Sequence, residues 1–292
     1  MLPDRRFIRV EPSEQACLMS IPSVASVPLR SFSAQAETHT TAPRLSVVVP
    51  CYNEAESMPQ LLAALARLQV QLAPMSLELV LVDDGSSDTT WKLLCDNLKS
   101  RKDVQLVRHE QNRGIAAAID SGIRAASSEV VASIDADCTY DPSQLAAMLP
   151  LMQDDVDLVV ASPYHPQGAV IGVPKWRLAI SQMASRLYAL VLRNKLYTYT
   201  SCFRLYRRSA VLSLPPQQPG FVGVVEMLCQ IDARGGRVVE APAILTVRAF
   251  GQSKMKVVRA TLAHLQLLAQ ASLQRLVSLF RRAPVKHPSA SR

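Results

Sequence analysis

Three apolar runs in the first half of the chain each stop at acidic and polar residues. They read LSVVVPCYNE, LELVLVDDGSSD and VVASIDADCTYD, and they begin at residues 45, 77 and 130. A continuous apolar run, rather than strict alternation, is typical of a strand buried in a parallel sheet. Polar residues just past the carboxyl ends of such strands line the crevice where open α/β sheets bind ligands. The pattern therefore predicts at least five carboxylates around one crevice: Glu54, Asp83, Asp84, Asp135 and Asp137.

Carboxylates that crowd around one crevice call for a compensating cation. A divalent metal is the natural candidate, because like charges at short range disfavour one another and oxygen ligands suit hard cations. Asp135 and Asp137 flank Ala136, so both could reach one divalent cation if the turn is tight. Each motif also has a plainer interpretation. Asp-x-Asp is a common spacing, and Asp83-Asp84-Gly85 could be turn chemistry before a helix.

The order of patterns along the chain indicates the fold class. Apolar runs alternate with amphipathic, helix-like segments, which is typical of an α/β protein with a mostly parallel sheet flanked by helices. A hydrophobic fraction of 49% is enough for a substantial core. The predicted strands are 45–50, 77–82, 104–108, 130–134 and 157–161.

Composition divides the chain into three predicted parts. Residues 1–43 are rich in Ser, Thr, Pro and Ala without periodicity, and we expect a disordered leader there. Residues 44–256 form the predicted catalytic domain, and residues 257–292 an amphipathic helix with a basic tail. No secretory signal and no bilayer-spanning run of about 20 apolar residues is visible. Six cysteines without a CxxC spacing favour reduced thiols in the cytosol.

Charge is distributed unevenly. Residues 1–150 hold 13 Lys/Arg against 18 Asp/Glu, whereas residues 151–292 hold 19 against 6. The excess of basic residues in the second half suggests a polyanionic partner, such as nucleic acid, a phospholipid surface or a phosphorylated substrate. Two basic amphipathic segments, 175–193 and 256–282, are predicted either to lie in a membrane interface or to pack on the domain with basic faces exposed. Aromatic residues total only 5% and no stacking motif appears, so no nucleic acid is expected.

Six blocks in sequence resemble family 2 glycosyltransferases, and most of all the dolichyl-phosphate or polyprenyl-phosphate sugar synthase branch. The resemblance covers roughly residues 45–260 and implies a GT-A fold, a nucleotide-sugar donor and an inverting transfer. The blocks are VVVPCYNEAESMPQLL, LVDDGSSDTT, NRGIAAAIDSGIRAA, IDADCTYDP, TSCFRLYRR and VRAFGQSKMKVVR.

The resemblance also implies roles for individual residues. The donor nucleotide would contact Pro50, Tyr52, Glu54, Asp83, Asp84, Asn112, Gly114, Asp135, Ala136 and Asp137. The DxD motif, here Asp135 and Asp137, would hold Mg²⁺ or Mn²⁺ on the diphosphate. Phosphate near the donor would contact Arg204, Arg248, Ser253 and Lys254, and Arg204 would join the two aspartates as a catalytic residue. Arg offers a planar fork for phosphate oxygens and Lys a point charge.

Some positions depart from the family pattern and concern the acceptor more than the donor. Cys202 stands where the family often has Gly, and Thr139 where a metal-assisting Gln is common. Ser162-Pro163-Tyr164 replaces the usual Ser-Arg-Tyr, so one expected phosphate-binding arginine is missing.

The combined prediction is a hexosyltransferase that moves a sugar from a UDP- or GDP-hexose to a polyprenyl phosphate. It would work as a peripheral protein on the cytoplasmic face of the membrane. One alternative is the same fold with a hydroxyl acceptor in glycan synthesis, which would require a carboxylate base. The other is a basic membrane- or nucleic-acid-binding module without catalysis.

Overall fold

A seven-stranded sheet forms the centre of the protein. The computed structural model describes residues 45–248 and 257–282. Strand order is β3-β2-β1-β4-β7-β5-β8, and every pairing is parallel except those of β7. The strands are β1 (Leu45–Cys51), β2 (Leu77–Asp83), β3 (Val104–Arg108), β4 (Val130–Ser133), β5 (Leu158–Ser162), β7 (Arg204–Arg207) and β8 (Val238–Pro242), and a separate parallel pair joins β6 (Ala169–Val170) to β9 (Ile244–Leu245).

Helices follow most of these strands, as the sequence pattern predicts. They are α1 (Met58–Leu72), α2 (Thr90–Leu98), α3 (Ile115–Ala125), α4 (Leu145–Met148), α5 (Lys175–Val191), α6 (Arg208–Leu212), α7 (Phe221–Ala233) and α8 (Val257–Arg282). The Ser57–Gln60 spacing is that of a capping box, but Ser57 makes no side-chain cap. Its hydroxyl instead donates to the Glu54 carboxylate at 2.9 Å, so local spacing yields here to the neighbouring charge.

Both faces of the sheet are covered. Val48 points into a core that contains side chains of α3 and α7, while Val47 and Val49 point into one that contains side chains of α1 and α2. A strand buried on both faces cannot alternate between apolar and polar residues, which explains the continuous runs in the sequence.

β7 is the one strand that runs against its neighbours. It pairs antiparallel with β4 and β5, and Arg204 lies in register with Ser133 and Val160. The TSCFRLYRR block thus supplies a central strand of the sheet. Its RLYR core is short and flanked by arginines, so its apolar pattern alone does not indicate a strand.

Helices α5 and α8 lie together on one side of the domain. The Tyr188 hydroxyl hydrogen-bonds His264 Nδ1 at 2.9 Å, and Arg275 donates to the carbonyl of Leu192 at 3.1 Å. Leu267, Leu268 and Ala271 of α8 are buried. Within residues 45–248 and 257–282, no helix combines the length and the apolar character needed to cross a bilayer.

Candidate functional site

The strand order reverses beside β1, whose neighbours are β2 on one side and β4 on the other. Ligand crevices form at such switch points because the connections leave the sheet in opposite directions there. Glu54 follows β1, Asp83 ends β2, and Asp135 and Asp137 follow β4. The topology therefore brings the three acidic segments to one edge of the sheet, as the sequence predicts.

The IDAD turn places Asp135 against a cavity. Asp135 is one of the residues that line a space of about 190 Å³. Burial raises the pKa of its carboxyl to about 7, with further increases from the charges of Asp137 and Glu54, while Arg248 acts to lower it. Ala136 is buried in the core below the turn, and Cys138 adopts a positive φ of 53° as the chain turns. The Asp137 carboxylate accepts a hydrogen bond from the Thr139 amide at 3.1 Å.

Arg248 connects the acidic and basic halves of the chain. Its Nη2 hydrogen-bonds the Glu54 carboxylate, and its Nη1 lies 3.6 Å from Asp137 Oδ2. All three side chains are largely shielded from solvent, so their charges interact at reduced screening. The predicted proximity of Arg248 to the DxD motif is therefore present in the structure. Of the other residues of its block, Ser253 and Lys254 lie outside the described residues.

The acidic turn fits a divalent cation that the substrate helps to ligate. Among the residues that the structure describes, no group of three or more His, Cys, Asp or Glu side chains is arranged to hold a metal. Mg²⁺ in nucleotide sites is usually bound by one or two carboxylates together with substrate phosphates. Burial first, and then the charges of Asp137 and Glu54, raise the pKa of Asp135, and a cation held by Asp135 and Asp137 would oppose both effects.

The first carboxylate pair lies within the protein rather than in the cavity. Asp84 is 2% exposed and accepts hydrogen bonds from the amides of Arg113 and Gly114 at 2.9 and 2.7 Å, and from His109 Nδ1 at 2.6 Å. Asp83 is fully buried, with Arg108 Nε 3.3 Å from its Oδ2. In this geometry Asp84 holds the following loop in place, and the contact that the sequence predicts between Asp84 and the nucleotide stays a prediction.

The predicted nucleotide segments lie near one another on the loops after β1, β2 and β3. Pro50 lies in β1 opposite Val82, and Tyr52 follows the end of that strand. Asn112 Nδ2 reaches the Asp84 carbonyl at 3.4 Å, and Gly114, at φ 90°, precedes α3. Their contact with a nucleotide stays a prediction.

Asn53 is a positioning residue that the sequence analysis missed. Its side-chain oxygen accepts from the Ser87 amide at 2.8 Å, and its own amide donates to Ser86 Oγ at 2.9 Å. The loop after β1 is thereby fastened to the loop after β2. The residue type was itself a signal, because Asn is enriched at turn positions with a left-handed backbone. Asn53 has such a backbone, with a φ of 52°.

The position of Arg204 differs from the sequence-based prediction of a catalytic residue that contacts phosphate. It is 0% exposed, and its guanidinium donates to three main-chain carbonyls, those of Tyr199, Ser201 and Val224, at 2.6–2.7 Å. The side chain is therefore committed to holding the 199–201 segment and cannot present its charge to a phosphate in this structure. The sequence does not reveal this role of Arg204, because its partners are main-chain carbonyl groups, which are present in every residue.

The cavity beside Asp135 is walled largely by residues that the motifs did not point to. It is lined by hydroxyl and apolar side chains from several parts of the chain: Tyr140, Pro163, Tyr164, Ser181, Thr198, Thr200, Ser201, Cys202, Phe221 and Leu245. Ser181 comes from α5, so this helix contributes to the cavity wall. These residues are far apart in sequence and form no local motif.

Comparison with known proteins identifies relatives over most of this chain. It is 30% identical over 216 residues to the dolichol-phosphate mannosyltransferase of Pyrococcus furiosus, a match that covers 73% of this chain and 59% of that protein. It is 30% identical over 220 residues to the polyprenol monophosphomannose synthase of Mycolicibacterium smegmatis, covering 73% and 81%. The undecaprenyl-phosphate mannosyltransferase of Micrococcus luteus is 28% identical over 218 residues, covering 73% and 87%.

Solved structures show the same fold. The glucosyl-3-phosphoglycerate synthase of Mycobacterium tuberculosis, in complex with Mn²⁺, UDP and glucosyl-3-phosphoglycerate, superposes with a TM-score of 0.58. The sequence identity is 21%, and the match covers 80% of each chain. The mostly parallel sheet flanked by helices is thus a GT-A fold.

The sequence model of glycosyl transferase family 2 matches residues 46–214. That span contains five of the six blocks in full, from the strand before Glu54 to the block that supplies β7. With relatives of the same kind along most of the chain, the protein is a glycosyltransferase and belongs to glycosyl transferase family 2.

Proposed function

We propose that the protein transfers a hexose from a nucleoside-diphosphate sugar to a polyprenyl phosphate with inversion at the anomeric carbon. The observation that carries the proposal is the position of Arg248, whose guanidinium lies between Glu54 and Asp137. The substrate diphosphate and the acceptor phosphate are both anions, and Arg binds phosphate oxygens with a planar fork of donors. The acidic turn and a cation from the basic half therefore meet where two phosphates would have to meet.

The three acidic residues after Asp157 favour a phosphate acceptor over a hydroxyl. A hydroxyl acceptor needs a base within hydrogen-bond reach, whereas a phosphate monoester is already largely ionised, with a second pKa of about 6. Glu226 accepts from the Gln218 amide, Asp232 from the amides of Arg193 and Asn194, and Glu240 from the Tyr197 and Thr198 amides. All three carboxylates thus serve the scaffold, which supports an acceptor that needs no base.

The roles of the remaining groups follow from charge. Asp135 and Asp137 would hold Mg²⁺ or Mn²⁺, which when bound neutralises negative charge on the nucleoside diphosphate as it leaves. Arg248 offers its guanidinium to the phosphates beside them. The protein's own contribution is to align acceptor and donor and to keep water from the anomeric carbon.

The names of the relatives indicate which donors and acceptors to test first. Three of them are named for mannose and for dolichol, polyprenol or undecaprenyl phosphate carriers. The structural neighbour was solved with UDP and a glucosyl product. We therefore place GDP-mannose and UDP-glucose first among donors, with a polyprenyl phosphate as acceptor.

A membrane surface is the proposed partner of the α5–α8 face. Neither helix contains an acidic residue, while Lys175, Arg177 and Arg275 are among their basic ones. Met183 is 62% exposed and Leu190 76%, and Trp176, Ile180, Leu262, Leu265, Leu273 and Leu276 are exposed as well. Apolar side chains bordered by cations suit an interface with anionic lipids. Because Ser181 of α5 lines the cavity, this face would hold a lipid-borne acceptor beside the site.

The proposed function is tested by transfer to lipid. The protein is incubated with GDP-mannose or UDP-glucose, Mn²⁺ and a polyprenyl phosphate in vesicles, and lipid-linked sugar and released nucleoside diphosphate are measured. We expect metal-dependent transfer that Asp137→Ala lowers by roughly a hundredfold or more, since it removes stabilisation of charge on the leaving group.

Asp154→Ala is the matched control, because Asp154 is an exposed carboxylate away from the acidic turn. It should leave transfer unchanged. Wild-type turnover in Asp137→Ala would reject the role of the DxD motif. Transfer to a polyprenol or a glycan, with none to the phosphate, would instead establish the hydroxyl-acceptor alternative.

A further inference from the structure

The cavity beside Asp135 is lined mainly by hydroxyl groups and apolar side chains. Six of the side chains that line it end in hydroxyl groups: Tyr140, Tyr164, Ser181, Thr198, Thr200 and Ser201. Among its described lining residues, Asp135 alone carries a charge. Phe221, Leu245 and Pro163 complete the wall with apolar surface.

The hydroxyl groups form an ordered array. Ser181 Oγ lies 2.9 Å from Thr200 Oγ1, and Tyr164 lines the same cavity. Thr198 Oγ1 lies 2.8 Å from Ser162 Oγ, deeper in the protein. Each hydroxyl has one proton and two lone pairs, so these paired groups keep free capacity to bind a ligand.

Arg204 fixes part of this array from below. Its guanidinium holds the carbonyls of Tyr199 and Ser201, on either side of Thr200. A site that distinguishes sugars by the positions of their hydroxyl groups needs hydrogen-bonding groups in fixed orientations, because hydrogen bonds weaken steeply when they are misaligned. The buried arginine thus acts as a positioning residue for the cavity.

Size and charge restrict the ligand. A cavity of about 190 Å³ is smaller than the roughly 300–1,000 Å³ typical of pockets for drug-sized ligands, so it suits one ring rather than a whole nucleotide. An anionic phosphate inside it would face Asp135 with no cationic side chain in the described wall, which is unfavourable. A neutral ring with several hydroxyl groups and an apolar face matches both the hydroxyl array and the Phe221 side.

We propose that this cavity receives the hexosyl group of the sugar donor, and that Tyr164, Ser181, Thr198 and Thr200 read its hydroxyl groups. The inference rests on the proposed function, because it assigns the sugar of the same donor. Asp135 belongs both to the cavity wall and to the acidic turn. A sugar in the cavity would therefore place its diphosphate near the acidic turn. These four residues would then determine which hexose is transferred.

The test compares affinities for a nucleoside diphosphate and for its hexose ester. Calorimetric titrations with Mn²⁺ use UDP, GDP, UDP-glucose and GDP-mannose against the full chain and its variants. Thr200→Val and Tyr164→Phe each delete one hydroxyl and keep the shape. We expect each to weaken binding of the preferred sugar donor about tenfold and to change binding of the matching diphosphate less than about twofold, since only the sugar loses a hydrogen bond.

Tyr197→Phe is the matched control, because Tyr197 lies next to Thr198 in sequence but is not part of the cavity wall. It should change neither affinity. Thermal melts confirm folding, and Tyr164→Phe serves if Thr200→Val fails to fold. A donor analogue lacking one sugar hydroxyl gives a second test: its affinity penalty in the wild type should disappear in the variant that has lost the partner group.

Other results would overturn the inference. Equal losses for diphosphate and sugar donor would mean that the hydroxyls support the nucleotide site. Unchanged donor affinity with a raised KM for the acceptor would assign the cavity to the acceptor. If the wild type bound no nucleoside diphosphate or sugar donor at all, the proposed function itself would be wrong.

Discussion

Arg204 and Asp84, which the sequence predicts to contact substrate, both make hydrogen bonds inside the protein. Arg204 donates to three carbonyls inside the core, and Asp84 accepts from two amides and a histidine. A buried charge persists only where hydrogen bonds replace its lost hydration. The same residue types that bind phosphates and sugars therefore also build the scaffold, and burial distinguishes the two uses.

Arg204→Met should destabilise the fold rather than only impair catalysis. The substitution removes three hydrogen bonds from a charged donor to buried carbonyls, which we expect to lower the free energy of unfolding by about 3 kcal/mol or more. Urea unfolding followed by circular dichroism measures the loss. Arg124→Met, which removes an exposed pair with Asp120, should cost less than about 0.5 kcal/mol. A variant of Arg204 with wild-type stability but no turnover would restore the phosphate-binding role.

The loops after β1, β2 and β3 behave as one unit. Asn53 fastens the first to the second, and Asp84 fastens the second to the third through the Arg113 and Gly114 amides. Gly114 has a φ of 90°, and a Cβ built there would lie 2.6 Å from the Gly220 nitrogen at the start of α7. The starts of α3 and α7 can approach each other here because Gly114 has no side chain.

A pair of alanine substitutions separates close approach from backbone strain. Gly220 also has a positive φ, of 79°, but a Cβ there would meet nothing within 4 Å. With a ψ of −163°, Gly220 lies in a backbone region that is essentially restricted to glycine, so Gly220→Ala should cost about 1–3 kcal/mol of strain alone. Gly114→Ala adds a clash with main-chain atoms and disturbs the Asp84 cluster, so its loss in the free energy of unfolding should be clearly larger. Chemical denaturation compares them, and equal losses would show that the chain relaxes around the new methyl group.

At the scale of the whole molecule, charge asymmetry has two structural consequences. Arg248 brings the basic half against the acidic turn of the first half. The helices α5 and α8 put basic and apolar side chains on one face. The first consequence concerns the site and the second the surface on which the acceptor would be presented.

Vesicle flotation tests the proposed membrane face. We expect binding to vesicles with anionic lipids, weaker binding to neutral ones, and a decrease with salt because charge attraction is screened. Trp176→Ser combined with Met183→Ser should weaken binding about tenfold or more, since each inserted side chain gains favourable apolar burial. Val70→Ser is the control, because Val70 is 80% exposed on α1, which packs on the opposite side of the sheet. Equal binding of all variants, or a stable dimer in gel filtration that buries this face, would contradict the proposal.

Sequence reasoning was most successful where the signal is local. The predicted strands 104–108 and 130–134 correspond to Val104–Arg108 and Val130–Ser133, and the fold class and family were confirmed. It failed for β7, whose four residues carry two arginines and which pairs across long sequence distances. It also gave no indication of the hydroxyl-lined cavity, because the residues that line this cavity come from six separate segments of the chain.

The sequence by itself determined that buried parallel strands end in carboxylates, because burial on both faces and turn chemistry are imposed residue by residue along the chain. Only the tertiary structure decided which carboxylates stay accessible, that Arg248 meets Glu54 across 194 positions, and that Arg204 supports the wall of a cavity. Those outcomes depend on distances between remote segments and on main-chain carbonyl groups, which every residue possesses and no residue type reveals.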